Sequence, residues 1–212
     1  MRNERLAELH RERLVAVVRS KTSEMAWETA TATAEAGIKF IEITFSVPGA
    51  LDVIKSIARR TGLHVGAGTV LSKKQAEEAI RVGAEFIVSP TLELDLIPVC
   101  HGADVPCFPG AATPTEILAA ARAGADLVKI FPADLLGGVE FIKQMQGPFP
   151  DIRFMVSGGV NRNNVREYVQ AGVTGICLSS AHLAQLLAGQ GKDGLVREIK
   201  QFVTWTAEAR AG

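Results

Sequence analysis

The feature that most constrains this chain is an eightfold alternation of short apolar runs with helix-favouring stretches. The runs are LVAVVR (14–19), FIEITF (40–45), HVGAGTV (64–70), EFIVSP (85–90), VPCFPG (105–110), LVKIFP (127–132), RFMVSGG (153–159) and GICLSS (175–180). Runs rich in β-branched and aromatic residues, bounded by Gly, Pro and Ser, read as strands. The 212 residues then divide into eight units of about 26, the length of a compact βα unit. Near-continuous apolar strands belong to a parallel sheet covered by helices, and eight such units close into a barrel. The alternative is an open doubly wound sheet, but no G-x-G-x-x-G follows the first strand. The expected fold is therefore α/β, one (β/α)8 TIM-barrel domain over residues 1–212. An extra amphipathic helix is expected in the first 12 residues, and a last helix carrying Trp205 over 192–210.

Local signals agree with this division. AEAGIKF, RVGAEF, ARAGADLV and QAGVTGI each place a glycine after a helix and before a strand, where the left-handed backbone of a helix stop suits it. Thr22, Ser72, Thr113 followed by Pro114, and Asn161 are predicted N-caps, with Ser72 and Gln75 spaced as a capping box.

Composition excludes several functions. Lys plus Arg and Asp plus Glu both number 23, for a formal net charge of zero, so no bulk electrostatic case exists for nucleic acid or an anionic membrane. No apolar run approaches the roughly 18 residues of a membrane span. The charged N-terminus lacks the apolar core of a secretory signal. Cys100, Cys107 and Cys177 show no CxxC spacing and read as reduced cytosolic thiols, which places the chain in the cytoplasm. The four histidines cluster neither with one another nor with the cysteines, so no metal is expected.

Active sites of such barrels lie at the C-terminal ends of the strands, and alternation along a strand assigns each residue a face. Val128 and Ile130 suit the outer face, leaving Lys129 pointing inward. Burial favours a neutral amine, the form that attacks a carbonyl to make an imine. The competing reading is a lysine paired with a carboxylate for stability. Ile41 and Ile43 likewise leave Glu42 and Thr44 inside, where Glu42 can move protons or simply pair with Lys129. Gly66 and Gly68 mark either ligand approach or tight packing. Thr69, expected on the face of Ala67, could donate to a substrate carboxylate. Ser157, Gly158 and Gly159 end the seventh strand, and Ser179 and Ser180 end the eighth. These positions bind phosphate in many barrels, or are ordinary turns. Arg19 follows Val15 and Val17 and could clamp a carboxylate or lie in solvent. Pro90 and Phe131 would give the site apolar walls.

These residues also form an ordered set: Phe-Ile-Glu-Ile-Thr-Phe, Val-Gly-Ala-Gly-Thr-Val, Phe-Ile-Val-Ser-Pro, Pro-Gly-Ala-Ala-Thr-Pro-Thr-Glu, Val-Lys-Ile-Phe-Pro-Ala and Ser-Gly-Gly-Val. From about residue 14 to 185 the chain resembles the 2-keto-3-deoxy-6-phosphogluconate aldolase / 4-hydroxy-2-oxoglutarate aldolase family. The resemblance implies a (β/α)8 barrel, a homotrimer, and class I chemistry with no cofactor and no metal. It implies that Lys129 forms the Schiff base and Glu42 is the general acid/base. It further implies that Thr69 helps hold the pyruvate carboxylate, and that Ser157, Gly158 and Gly159 lie near the substrate's distal end. Two positions depart from the family pattern. Ser46 stands where many members carry a substrate-binding arginine, part of whose role falls to Arg19. The eighth strand ends in Ser179-Ser180-Ala181 instead of Gly-Gly-Ser or Gly-Ser. The implied substrate is a 2-keto-4-hydroxy acid, cleaved to pyruvate and an aldehyde: glyceraldehyde 3-phosphate, or glyoxylate as the alternative. A phosphate-binding barrel decarboxylase or isomerase is the rival enzyme class, though the chain lacks a D-x-K-x-x-D motif. A sugar-phosphate sensor is the rival without catalysis.

Overall fold

The computed structural model describes residues 2–211; Met1 and Gly212, included in the expected domain span, lie outside the described residues. Helices and strands alternate throughout. In chain order they are α1 (Arg2–Glu12), β1 (Leu14–Val18), α2 (Ser23–Glu35), β2 (Phe40–Thr44), α3 (Ala50–Ile57), β3 (His64–Gly68), α4 (Lys73–Arg81), β4 (Ile87–Val88) and α5 (Leu96–Gly102). There follow β5 (Cys107–Phe108), β6 (Gly110–Ala111), α6 (Pro114–Arg122), β7 (Val128–Ile130), α7 (Val139–Gln146), β8 (Phe154–Val156), α8 (Val165–Gln170), β9 (Gly175–Leu178) and α9 (Ser180–Ala211).

The strands form one parallel sheet in the order β5-β4-β3-β2-β1-β9-β8-β7-β6. Its two ends, β5 and β6, are neighbours in the chain. They are the halves of the single strand expected over 105–110, divided at Pro109, which has no N–H to give to a ladder. The Pro109 carbonyl still accepts from Lys129 N (2.9 Å), and Gly110 N donates to Thr91 O (2.9 Å). Nine segments thus fill eight positions and bring the sheet round into a barrel.

Side-chain parity separates two apolar layers. Ile41 and Ile43 pack outward against Ala30, Ile54 and Ile57, while Val128 and Ile130 pack outward with Ile117 and Ile142. The interior holds Val15, Val17, Phe40, Phe86, Phe108, Met155 and Cys177, closed below by Leu6 and Leu9 of α1. The amphipathic first helix is therefore a plug for the N-terminal end of the barrel. Polar groups also tie that end. Lys39 Nζ donates to Glu12 Oε1 (2.8 Å) and Glu8 Oε1 (3.2 Å). His64 lies between Glu85 (2.6 Å) and Glu8 (3.0 Å), and Arg5 Nε donates to Glu85 (3.0 Å).

The punctuation mostly follows expectation. Thr22 and Ser72 accept from backbone N–H groups of their helices, and Thr113 makes a full capping box with Glu116. The Ser72 box is only half formed, because Gln75 Oε1 accepts from Leu71 N instead. Asn161 is not an N-cap: α8 begins at Val165, and Asn161 instead braces the preceding turn through its contacts with Gly159 and Asn163. The helix-stop glycines take positive φ, as at Gly83 (+107°) and Gly124 (+92°). The last helix bends at Gly191 (φ 67°, ψ −173°), one residue before the expected start of the tail helix.

Candidate active site

Lys129, in the middle of β7, points into the barrel and is 5% exposed. Glu42, in β2, points in from across the barrel and is 1% exposed. Their Nζ and Oε1 atoms are 3.9 Å apart, at the limit of an ion pair. The other carboxylate oxygen, Oε2, is buried without a hydrogen-bond partner. Such an orphaned acceptor is costly in a stable core and is available to an incoming donor. The Phe131 ring covers the amine, its centroid 5.6 Å from Nζ. Phe131 is itself 39% exposed, so it stands at the mouth of the barrel.

The glycines of β3 explain how Glu42 fits. Glu42 pairs with Gly66 and Thr44 with Gly68 along the β2–β3 ladder. A Cβ on Gly68 would lie 1.9 Å from Glu42 Oε1, and one on Gly66 would lie 2.3 Å from the Phe86 ring. Both glycines leave space for larger inward neighbours, and Gly68 leaves it for the carboxylate itself.

Thr69 corrects the parity assignment. Ala67 faces outward among Ile41, Ile43 and Ile87, and Thr69 does not share its face. Thr69 takes a left-handed φ of 56°, uncommon for a β-branched residue. This turns its hydroxyl over the barrel mouth, where it accepts from Arg19 Nη2 at 3.1 Å. Arg19 follows the inward-facing Val15 and Val17, as its spacing predicts. A guanidinium and a hydroxyl thus meet at the rim, both able to bond a carboxylate.

Thr44 is fully buried. Its hydroxyl donates to Val18 O (3.2 Å) and lies 2.9 Å from Ser46 Oγ, tying β2 to β1. Pro90 lines the rim where its carbonyl approaches Gly110; a Cβ on Gly110 would lie 2.3 Å from it. Ser157 is buried, while Gly158 (φ 104°) and Gly159 (φ 68°) form the turn after β8. The Asp134 carboxylate lies against that turn, close enough to collide with a Cβ on either glycine. Ser179 Oγ accepts from His182 N (3.3 Å) and so caps α9. Ser180 joins Arg19, Ser46, Met25, Pro48 and Leu187 around a cavity of about 660 Å³ beside the mouth.

Two neighbours of the site escaped the sequence reading. Cys177, read from the sequence only as a reduced thiol, is buried. It points into the barrel, and burial pushes its thiol up to about 12, with Lys129, Glu42 and Ser157 all near enough to act on it. Its parity with Ser179 was the available signal. Asp134 carried no local signal, because its approach to Gly158 and Gly159 depends on how two loops meet.

Comparison with known proteins bears on this geometry. The sequence profile of the KDPG and KHG aldolases matches residues 6–195. A 2-dehydro-3-deoxy-phosphogluconate aldolase of Treponema pallidum is 39% identical over 162 residues, 76% of this chain and 77% of that one. A KHG/KDPG aldolase of Escherichia coli is 34% identical over 157 residues, 74% of each chain. A KDPG aldolase structure from Legionella pneumophila, with pyruvate captured as a covalent carbinolamine, superposes with a TM-score of 0.83. It is 25% identical, covering 93% of this chain and 97% of that one. The inward lysine–carboxylate pair, the barrel around it and these relatives agree: the chain belongs to the KDPG and KHG aldolase family and is a carbon–carbon lyase.

Proposed function

We propose that Lys129 forms a Schiff base with the C2 carbonyl of a 2-keto-4-hydroxy acid, with Glu42 as its proton carrier. The observation that carries this is the Lys129–Glu42 pair, sealed in an apolar barrel with one carboxylate oxygen lacking a partner. The neutral amine attacks C2, and the carbinolamine loses water to give a protonated imine. Glu42, directly or through a water, takes the proton of the C4 hydroxyl. The C3–C4 electron pair moves toward the imine, releasing an aldehyde and leaving a pyruvate enamine on the lysine. Protonation at C3 and hydrolysis free pyruvate and the amine. Arg19 and Thr69 hold the carboxylate of the keto acid, and Phe131 and Pro90 wall the reacting carbons. Borohydride added with pyruvate should trap a covalent adduct on Lys129, visible by peptide mass. A Lys129→Ala chain that cleaves substrate at the wild-type rate would defeat the assignment.

The substrate we assign is 2-keto-3-deoxy-6-phosphogluconate, giving pyruvate and glyceraldehyde 3-phosphate. Its phosphate would meet the backbone N–H groups of Gly158 and Gly159, the Ser157 N–H being given to Ile130 O, together with the Ser179–Ser180 start of α9, a usual phosphate position in barrels. One observation favours 4-hydroxy-2-oxoglutarate as a second reading: the Asp134 carboxylate beside Gly158 and Gly159 repels a phosphate dianion more strongly than the singly charged distal carboxylate of that acid. Comparing kcat/KM for the two acids separates them, since a required phosphate gives the phosphorylated acid the larger value. The resemblance also carries a homotrimer working in the cytoplasm; sedimentation equilibrium at three times the chain mass tests the assembly.

A further inference from the structure

The N-terminal end of the barrel, opposite the catalytic pair, holds a cavity of about 670 Å³ that the aldolase chemistry does not use. His10, Arg11, Arg13, Gln170 and Arg210 line it. Its one lining carboxylate, Glu12, is already bonded to Lys39 at 2.8 Å. Among the described residues, Arg11, Arg13, Arg153 and Arg210 form no ion pair. In a chain of zero net charge, that is a local surplus of guanidinium over carboxylate among the described residues.

Arg13 is the centre of the cluster. It is 9% exposed and takes a left-handed φ of 66°. One terminal nitrogen donates to the Val173 carbonyl, and the other lies 3.4 Å from His10 Nε2. Its Nε is buried without a partner. Partial burial, then the charges of Arg13, Arg153 and Arg210, hold His10 below the usual imidazole range, so it serves as a neutral acceptor. Burial and Arg210 likewise lower Arg13. A buried cation lacking a counter-charge is costly. Guanidinium groups lining one hollow can bond a tetrahedral oxyanion through paired N–H donors.

We propose that this cavity binds a phosphate group, free or carried by a small metabolite, held by Arg11, Arg13 and Arg210. It is a second anion site, at the opposite end of the barrel from the one assigned to substrate, and it stands whether or not the substrate carries a phosphate. Backbone and arginine ¹⁵N spectra of the full chain, titrated with inorganic phosphate against sodium chloride at equal ionic strength, test it. Saturable shifts are expected at residues 10–13 and 170–173 and at the Arg13 Nε–H. A parallel titration with glycerol phosphate distinguishes the sources, tighter binding of the ester indicating a metabolite. The exposed pair Arg11→Gln/Arg210→Gln should raise the phosphate concentration needed for these shifts at least about tenfold through loss of two charged hydrogen bonds, leaving any shifts at 157–159 unchanged. Shifts confined to 157–159 and 179–180, or shifts at Arg13 that chloride reproduces, overturn the proposal.

Discussion

The two ends of this barrel use the same residue types to opposite effect. At the N-terminal end, Lys39, His64 and Arg5 each bond directly to carboxylates, at 2.6–3.2 Å, and the three ions share Glu8, Glu12 and Glu85. At the C-terminal end, Lys129 and Glu42 stand 3.9 Å apart, and one oxygen of Glu42 has no partner. The first arrangement spends its hydrogen bonds within the protein and holds α1 against the barrel. The second keeps them open in a pocket that apolar neighbours seal. The difference lies in separation and saturation, not in composition: a satisfied ion pair stabilises, whereas an unsatisfied buried one is poised for a ligand.

The comparison can be broken most severely at Lys129. Lys129→Ala should lower kcat/KM by at least about 10⁴-fold, since the imine cannot form, and borohydride with pyruvate should then leave the chain unlabelled in a mass spectrum. Glu42→Gln keeps the shape and removes the base; kcat should fall about 10²–10⁴-fold in steady-state assays while slow trapping on Lys129 persists. Gly68→Ala tests position alone. Its methyl group would occupy the space of Glu42 Oε1, and a displaced carboxylate should cost about 10- to 100-fold in kcat with pyruvate still trapped.

The other end should respond in stability and not in turnover. Glu85→Gln removes the shared acceptor of His64 and Arg5 and should cost about 1–2 kcal/mol in urea unfolding, with kcat/KM unchanged. A smaller effect sharpens the contrast through pH. Hydrogen bonding to Glu85 raises His64 above its ordinary 6.5, so its stabilising contribution is complete below about pH 6.5 and fades as pH rises through the raised value. Glu85, lowered from 4.5 chiefly by the same bond, loses its contribution as pH falls below that range. The network should thus contribute most between about pH 4.5 and 6.5. The Tm difference between the wild type and His64→Gln should be largest at pH 6 and shrink by pH 9; a difference that grows with pH would contradict the ion network.

Alternation of strand and helix was readable because burial on both faces of a parallel strand demands an uninterrupted apolar run, and the run 127–132 carries a lysine that only an inward site tolerates. Parity along regular strands placed Lys129, Glu42 and Arg19 correctly. It failed at Thr69, because a single residue at φ 56° resets the alternation. It also missed the division of the fifth strand at Pro109, and the α8 cap, which needed a count of turn residues that local signals do not provide.

What the sequence determined by itself was the eightfold order, the helix boundaries marked by glycine and capping residues, and which residues could carry imine chemistry. These depend on local periodicity and on the cost of burying charge, both of which act on each segment separately. Only the tertiary structure decided that Gly68 makes room for Glu42, that Cys177 lies beside the Lys129–Glu42 pair, that Asp134 crowds the Gly158–Gly159 turn, and that Arg11, Arg13 and Arg210, which form no ion pair among the described residues, gather around one hollow at the far end. Each of these is a meeting of segments distant in the chain, and closing the barrel is what brings them within reach.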